Sequence, residues 1–157
     1  MVAVWRIATD TPMYLADDLS GRGAETTGGR WNQKGTPMLY ASSTRALACL
    51  ETLVHLAGSD PLPLNRYLVE LAFSEEIWKK RTILDSATHV GWDAEPAGKI
   101  SLEWGDEWAR SKVSLLAEVP SVIVPEEANI LVNPSHADIF KISTKKQRRW
   151  SYDMRLG

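Results

Sequence analysis

Gly28-Gly29-Arg30-Trp31-Asn32 is the stretch of this sequence with the most obvious chemical potential. Paired glycines let a backbone come close to a ligand, and the following guanidinium offers a planar fork of donors matched to phosphate or carboxylate. This is the composition of an anion site, with Trp31 placed to stack on whatever binds. Further along, Glu51 and His55 stand four apart in a run where Ala46, Leu50, Leu53, Val54 and Ala57 recur at helical spacing. On a helical wheel Glu51 is flanked by Leu47, Leu50, Val54 and His55, so its carboxylate belongs at the edge of the core and needs a partner. Pairing with His55 on an exposed helix face and chemistry in a cleft are both compatible with that position.

The elements that must position these groups follow from pattern. Residues 38–41 form a short apolar run between Pro37 and a Ser42-Ser43-Thr44 cluster, which predicts a buried strand. The Glu51 helix should start at an N-cap of Ser42 or Ser43 and stop at Gly58 as its C′ residue. Residues 2–7 alternate as a first strand, with Arg6 inside it as either an edge residue or an inward anion-binding group. Residues 10–37 show no clear period and predict a long ordered loop, a length usually associated with function. A strand is expected over 67–73, with Leu68, Glu70 and Ala72 on one side. Residues 74–98 read as a short helix, an extended piece at Ile83-Leu84 and a surface loop. Trp104 and Trp108 share a helix face at i, i+4. Residues 115–124 are extended but contain Pro120, so the strand must be at an edge, bulged or interrupted there. Ser121 follows that irregularity, placed either to reach a cleft or to bond locally to backbone. Further short strands are expected at 130–132, 139–143 and 150–154, with Lys145-Lys146-Gln147-Arg148-Arg149 as a basic turn between the last two.

Several of these motifs, in this order, resemble the RES domain family: Gly28-Gly29-Arg30-Trp31-Asn32, Leu39-Tyr40, Glu51 with His55, Val119-Pro120-Ser121, Asn129, Asn133-Pro134 and His136. The resemblance runs from about Trp5 to Arg155, and the arginine, glutamate and serine that name the family would be Arg30, Glu51 and Ser121. It implies an ADP-ribosyltransferase-like fold, a single mixed α/β domain over 1–157 with a split, mostly antiparallel sheet and flanking helices. It also implies a toxin that destroys NAD by hydrolysis or phosphorolysis, with NAD as substrate, inorganic phosphate as possible co-substrate and no bound cofactor. The partner it implies is an Xre-type helix-turn-helix antitoxin, which Arg22, Arg30 and Lys34 would face, and a homodimer of this tryptophan-rich chain within the complex.

Cleaving the nicotinamide-ribose bond develops positive charge on the ribose, so the protein must hold the diphosphate, orient the ribose and place negative charge beside it. Arg30 suits the diphosphate. By resemblance, Glu51 takes the ribose hydroxyls or stabilises the cation, Tyr40 packs on or bonds the nicotinamide-ribose region, and Ser121 fixes nicotinamide or incoming phosphate. Gly29, Arg30, Trp31, Tyr40, Ser121 and Asn133 would line the substrate. Two alternatives stay open: a protein-directed ADP-ribosyltransferase using the same site, and a non-catalytic interaction module. With no second acidic residue within several positions of Glu51, a small acceptor is favoured over a protein.

Composition bounds the rest. At 157 residues, with 44% hydrophobic and 24% charged residues, the chain has the composition of one globular domain rather than a disordered one. A net charge of -2 argues against direct nucleic-acid binding, which depends on neutralising many phosphates. No run is long and apolar enough to span a membrane and the N-terminus lacks a signal layout, so a cytoplasmic protein is expected. The single Cys49 suits a buried thiol, since no histidine is placed to activate it as a nucleophile. His55, His89 and His136 lie far apart and no metal-binding spacing, P-loop or Rossmann glycine motif occurs, so no metal is expected.

Overall fold

The alternating run at the N-terminus forms the strand β1 (Val2–Thr9) in the computed structural model, which describes residues 1–56 and 63–156. In chain order there follow α1 (Arg22–Thr27), β2 (Leu39–Ser42), α2 (Arg45–His55), β3 (Arg66–Phe73), α3 (Glu75–Lys79), β4 (Thr82–Ile83), α4 (Lys99–Ser111), β5 (Leu116–Pro120), β6 (Ala128–Val132) and β7 (Ser143–Trp150). The seven strands make one open sheet in the order β4-β5-β6-β2-β1-β3-β7, antiparallel except for the short β4–β5 pair. This is the mixed α/β, mostly antiparallel architecture expected from the sequence.

The sheet is not evenly knitted. β1 pairs with β3 along its whole length, from Val2↔Phe73 to Thr9↔Arg66, but meets β2 only at Trp5↔Ser42. Elsewhere along that seam the strands splay, leaving backbone and side chains of both strands open to a cleft. The core explains how the splay survives. Alternate residues of β6 go to opposite faces: Ile130 and Val132 join Val4, Leu71 and Leu116 in one cluster, whereas Leu131 joins Trp31, Met38, Val119 and Trp108 in another. A third cluster, Trp5, Ile7, Leu68, Ala48, Cys49 and Tyr152, fixes α2 over β1. The two halves of the sheet are thus covered separately by α4 and α2, on either side of the seam.

Several expectations are corrected. The cap of α2 is Thr44, whose hydroxyl accepts from Leu47 N at 3.1 Å, rather than Ser42 or Ser43. Ser42 ends β2, which leaves its hydroxyl available elsewhere. Gly58 and Ala57 lie outside the described residues. Within the expected loop at 10–37, α1 forms a short helix. The strand expected at 139–143 is a 3-10 turn, Ile139–Lys141, because local bonds such as Lys141 N to Asp138 O at 2.9 Å satisfy its backbone. The basic residues 145–149 belong to β7 rather than a turn, since β3 supplies ladder partners from Arg66↔Trp150 to Ala72↔Ser143. A strand at 150–154 is absent accordingly; Met154–Leu156 is a second 3-10 turn. Pro120 does interrupt its strand, as its missing donor requires.

α4 reaches the glycine-rich loop through a contact that only glycine permits. A Cβ on Gly105 would overlap the Trp31 carbonyl, and Trp31 itself is stacked on Trp92 and meets Trp104 edge-on. Gly105→Ala should therefore force the loop off the helix and destabilise the protein by about 1–3 kcal/mol, read as a lower urea midpoint and a changed tryptophan emission. A native midpoint would show that the loop does not depend on this approach.

Candidate functional site

Glu51 points from α2 toward the seam, and its Oε1 is held by two donors from distant parts of the chain. Ser121 Oγ donates at 2.6 Å and Asn129 Nδ2 at 2.8 Å. Each donor is itself fixed. Ser121 is fully buried, and its Oγ accepts from Ile123 N and Val124 N at 3.1 Å each, a turn made possible where Pro120 ends β5. Asn129 Oδ1 accepts from Ser42 Oγ at 2.7 Å across the β2–β6 pair. Both donors address one oxygen, and among the described residues nothing bonds Oε2. Glu51 is thereby presented with a defined orientation and one oxygen free for a ligand. It is not paired with His55, which is exposed.

Glu51 lines a cavity of about 180 Å³ along the seam, with Trp5, Arg6, Tyr40, Ser42, His55 and Asn129 among its walls. A second cavity of about 190 Å³ shares Arg6, Ile7 and Tyr40 with it and is lined further by Tyr14, Asp18 and Arg22. Arg6 lines both cavities.

Arg6 is the residue that sequence reasoning left undecided and the structure singles out. Its Nε and Nη1 are sealed from solvent and have no hydrogen-bond partner among the described residues. Burial pushes the guanidinium below its ordinary pKa, with Asp18 and Tyr14 acting in the opposite direction. Arginine nonetheless stays protonated in proteins, so two donors of this cation are desolvated without an acceptor among the described residues. The signal in the sequence was a charged residue inside an otherwise apolar strand.

Arg30, by contrast, does not join this cleft. Its Nη1 donates to the carbonyls of Trp92 at 3.1 Å and Ala94 at 2.6 Å, and its Nη2 to Glu95 Oε2 at 2.6 Å. Arg30 thus pins the 92–95 loop against the glycine loop and lines neither cavity. Trp31 is buried at 2% exposure in the aromatic cluster and has no free face for a substrate. Gly29 is needed because a Cβ there would lie 2.7 Å from Tyr40 Oη, and Gly28 adopts a left-handed φ of 73° that favours glycine. Asn133 is buried and satisfied, donating to Ala109 O at 2.8 Å and accepting from Ser135 N at 3.0 Å. Of the expected site residues, Glu51 and Tyr40 line the cavity, and Ser121, fully buried and lining neither cavity, holds Glu51 from behind; Arg30, Trp31, Gly29 and Asn133 build the scaffold beside it. Cys49 packs against Trp5 and Tyr152, and burial pushes its thiol up, which is the opposite of what a nucleophile needs.

The profile of the RES domain matches residues 3–155. The chain belongs to the RES domain family. A protein of Sphingobium sp. (strain YBL2) named "Prs ADP-ribosylating toxin" is 55% identical over 153 residues, covering 97% of this chain and 94% of that one. "Toxin Res" of Yersinia enterocolitica is 37% identical over 145 residues, covering 91% of this chain and 93% of its own length, and "Toxin Res" of Photorhabdus laumondii is likewise 37% identical over 145 residues, with coverage of 91% and 90%. Glu51 and Ser121 are in direct contact, whereas Arg30 lies outside both cavities. No helix among the described residues is long and apolar enough to cross a membrane.

Tyr40 links the glycine loop to the cleft. Its Oη accepts from Trp31 N at 3.0 Å and donates to Asn32 Oδ1 at 2.6 Å, closing the glycine loop against β2. Tyr40→Phe removes both bonds and should cost about 1–3 kcal/mol at pH 7. Burial is the main reason the phenol's pKa is raised above a tyrosine's ordinary value near 10. A raised folded pKa gives stability that is complete below the unfolded value and is lost as pH climbs from about 10 toward the folded value. The native protein should therefore lose stability above pH 10 more steeply than Tyr40→Phe does; parallel curves in urea titrations would refute the assignment. Arg6→Met should behave in the opposite sense to most core changes. Removing an unpartnered buried cation should raise stability, on the order of 1 kcal/mol, and a destabilised variant would mean that the guanidinium already has a partner.

Proposed function

We propose that this RES domain is a toxin that cleaves the nicotinamide-ribose bond of NAD and passes the ADP-ribose group to an acceptor. The observation that carries this reading is Glu51, oriented by Ser121 and Asn129 in a cavity also lined by Arg6, two of whose nitrogens are buried without a partner among the described residues. A dinucleotide would lie across the two cavities. Its nicotinamide-ribose half would occupy the Glu51 cavity, its diphosphate would satisfy Arg6, and its adenosine half would extend toward Tyr14 and Arg22.

In this mechanism Glu51 supplies negative charge beside the ribose as the bond to nicotinamide breaks, while Ser121 and Asn129 keep the carboxylate from rotating away. The diphosphate would gain charge-assisted hydrogen bonds from Arg6 once a shift of the surrounding side chains opens its sealed nitrogens to the cavity. Arg30, Tyr40 and Gly29 act as positioning residues, fixing the wall against which the substrate sits. The name of the Sphingobium relative favours a protein acceptor. The absence of any acidic residue other than Glu51 in α2, RALACLETLVH, favours phosphate or water instead. The toxin names of the relatives fit a neutralising antitoxin; an Xre-type helix-turn-helix protein and a homodimer of this chain belong to the same reading.

Incubating the purified protein with NAD alone, with inorganic phosphate and with a cell extract separates the acceptors. Free ADP-ribose indicates water, a phosphorylated ADP-ribose indicates phosphate, and label retained on a protein indicates transfer. Intact NAD in all three would end the proposal. Glu51→Gln should lower kcat on the order of 100-fold with KM little changed, whereas Arg6→Met should raise KM on the order of 10- to 100-fold. Arg30→Lys should act on stability more than on KM, and an Arg30 effect confined to KM would restore it as the diphosphate ligand.

A further inference from the structure

The sheet ends differently on its two sides. On one side the edge strand β4 has two residues; on the other, β7 has eight, paired only with β3 among the described residues. Short edges are one of the ways proteins avoid unwanted strand pairing, and β7 does not use it. Its sequence, STKKQRRW, contains neither proline nor an acidic residue, and the register shift lies on its inner side, opposite Leu68 and Val69.

Its four cations are arranged rather than scattered. Lys146 is held by Asp10, with Nζ 3.0 Å from each carboxylate oxygen, and lies over the Tyr67 ring. Arg148 stacks on Trp150, and Arg149 Nε donates to Leu64 O at 3.0 Å. Lys145 faces Glu70 in register, but Glu70 accepts from Gln147 at 3.3 Å. Lys145, Arg148 and Arg149 are exposed and, among the described residues, have no carboxylate partner. An edge of one sign repels a second copy of itself, because like charges would be brought opposite each other. The same edge admits a strand of opposite sign, and its outer backbone groups supply the ladder.

We propose that β7 is the docking edge for an acidic, extended protein segment, which adds to the sheet as a further strand with carboxylates opposite Lys145 and Arg148, which share one face. Charge complementarity selects the partner. Nucleic acid fits less well, because the whole chain carries a net charge of -2 and its phosphate backbone cannot use the ladder groups of a strand edge. β3 separates β7 from β1, so a segment docked there leaves the cleft open, and the proposal stands independently of NAD chemistry.

The test uses the purified full chain with a fluorescent peptide of alternating Glu and Val, a Lys-Val peptide of equal length, and a short DNA duplex. The Glu-Val peptide should bind, and hydrogen exchange at residues 143–150 should slow when it does. Lys145→Glu with Arg148→Glu should weaken binding on the order of tenfold or more. If that variant does not fold, raised salt on the native chain gives the same contrast, since exposed pairs are screened. The proposal is overturned by no binding of the Glu-Val peptide, by equal binding of the Lys-Val peptide, by binding without slowed exchange in β7, or by tighter binding of DNA.

Discussion

The carboxylate of Glu51 is tied to Ser121 and Asn129, residues 70 and 78 positions away, and much of the fold can be understood as what brings those three together. α2 must lie over β1 with its apolar face down, which the Trp5, Ile7, Ala48 and Cys49 cluster ensures. β5 must end abruptly so that Ser121 turns inward, which Pro120 ensures by withholding a ladder donor. β2 and β6 must pair in register so that Ser42 reaches Asn129. A hydrogen bond to an ionisable group between such distant segments forms only when all of these conditions hold. Its presence at 2.6 Å reflects the assembled sheet rather than local propensity.

Two arginines show how partners, rather than residue type, decide what a side chain can do. Arg30 sits in a loop whose composition suits anion binding, yet two carbonyls and Glu95 occupy its donors. Arg6 sits in an ordinary strand, and two of its nitrogens are buried with none. The first stabilises a loop; the second stores a desolvation cost that a bound anion would relieve. The single-pair contact between β1 and β2 makes the difference, since a fully paired seam would close the cleft that Arg6 lines. The same economy governs the glycine loop, where Tyr40 on the cleft wall is also its clamp, so the wall and its support share one hydroxyl.

What the amino-acid order determined by itself was the set of local elements and the family. Alternation at the N-terminus, the short run before the serines, the helical spacing around Glu51 and the proline before Ser121 each act within a few residues, where side-chain period and missing donors leave few choices. The ordered set of short motifs, from Gly28-Gly29-Arg30 to Asn133-Pro134, sufficed for the RES domain. Tertiary structure alone decided partner choice and pairing. The basic run at 145–149 is polar enough to be a turn, and it is a strand because β3 offers it a full ladder. Ser42 could have capped a helix, and instead it positions Asn129. Whether Arg6 or Arg30 faces an anion depended on which carbonyls came within reach, and those carbonyls lie more than 60 positions from Arg30. Local pattern carries no information about contacts of that separation, because they exist only once the sheet and its two covering helices have closed around the seam.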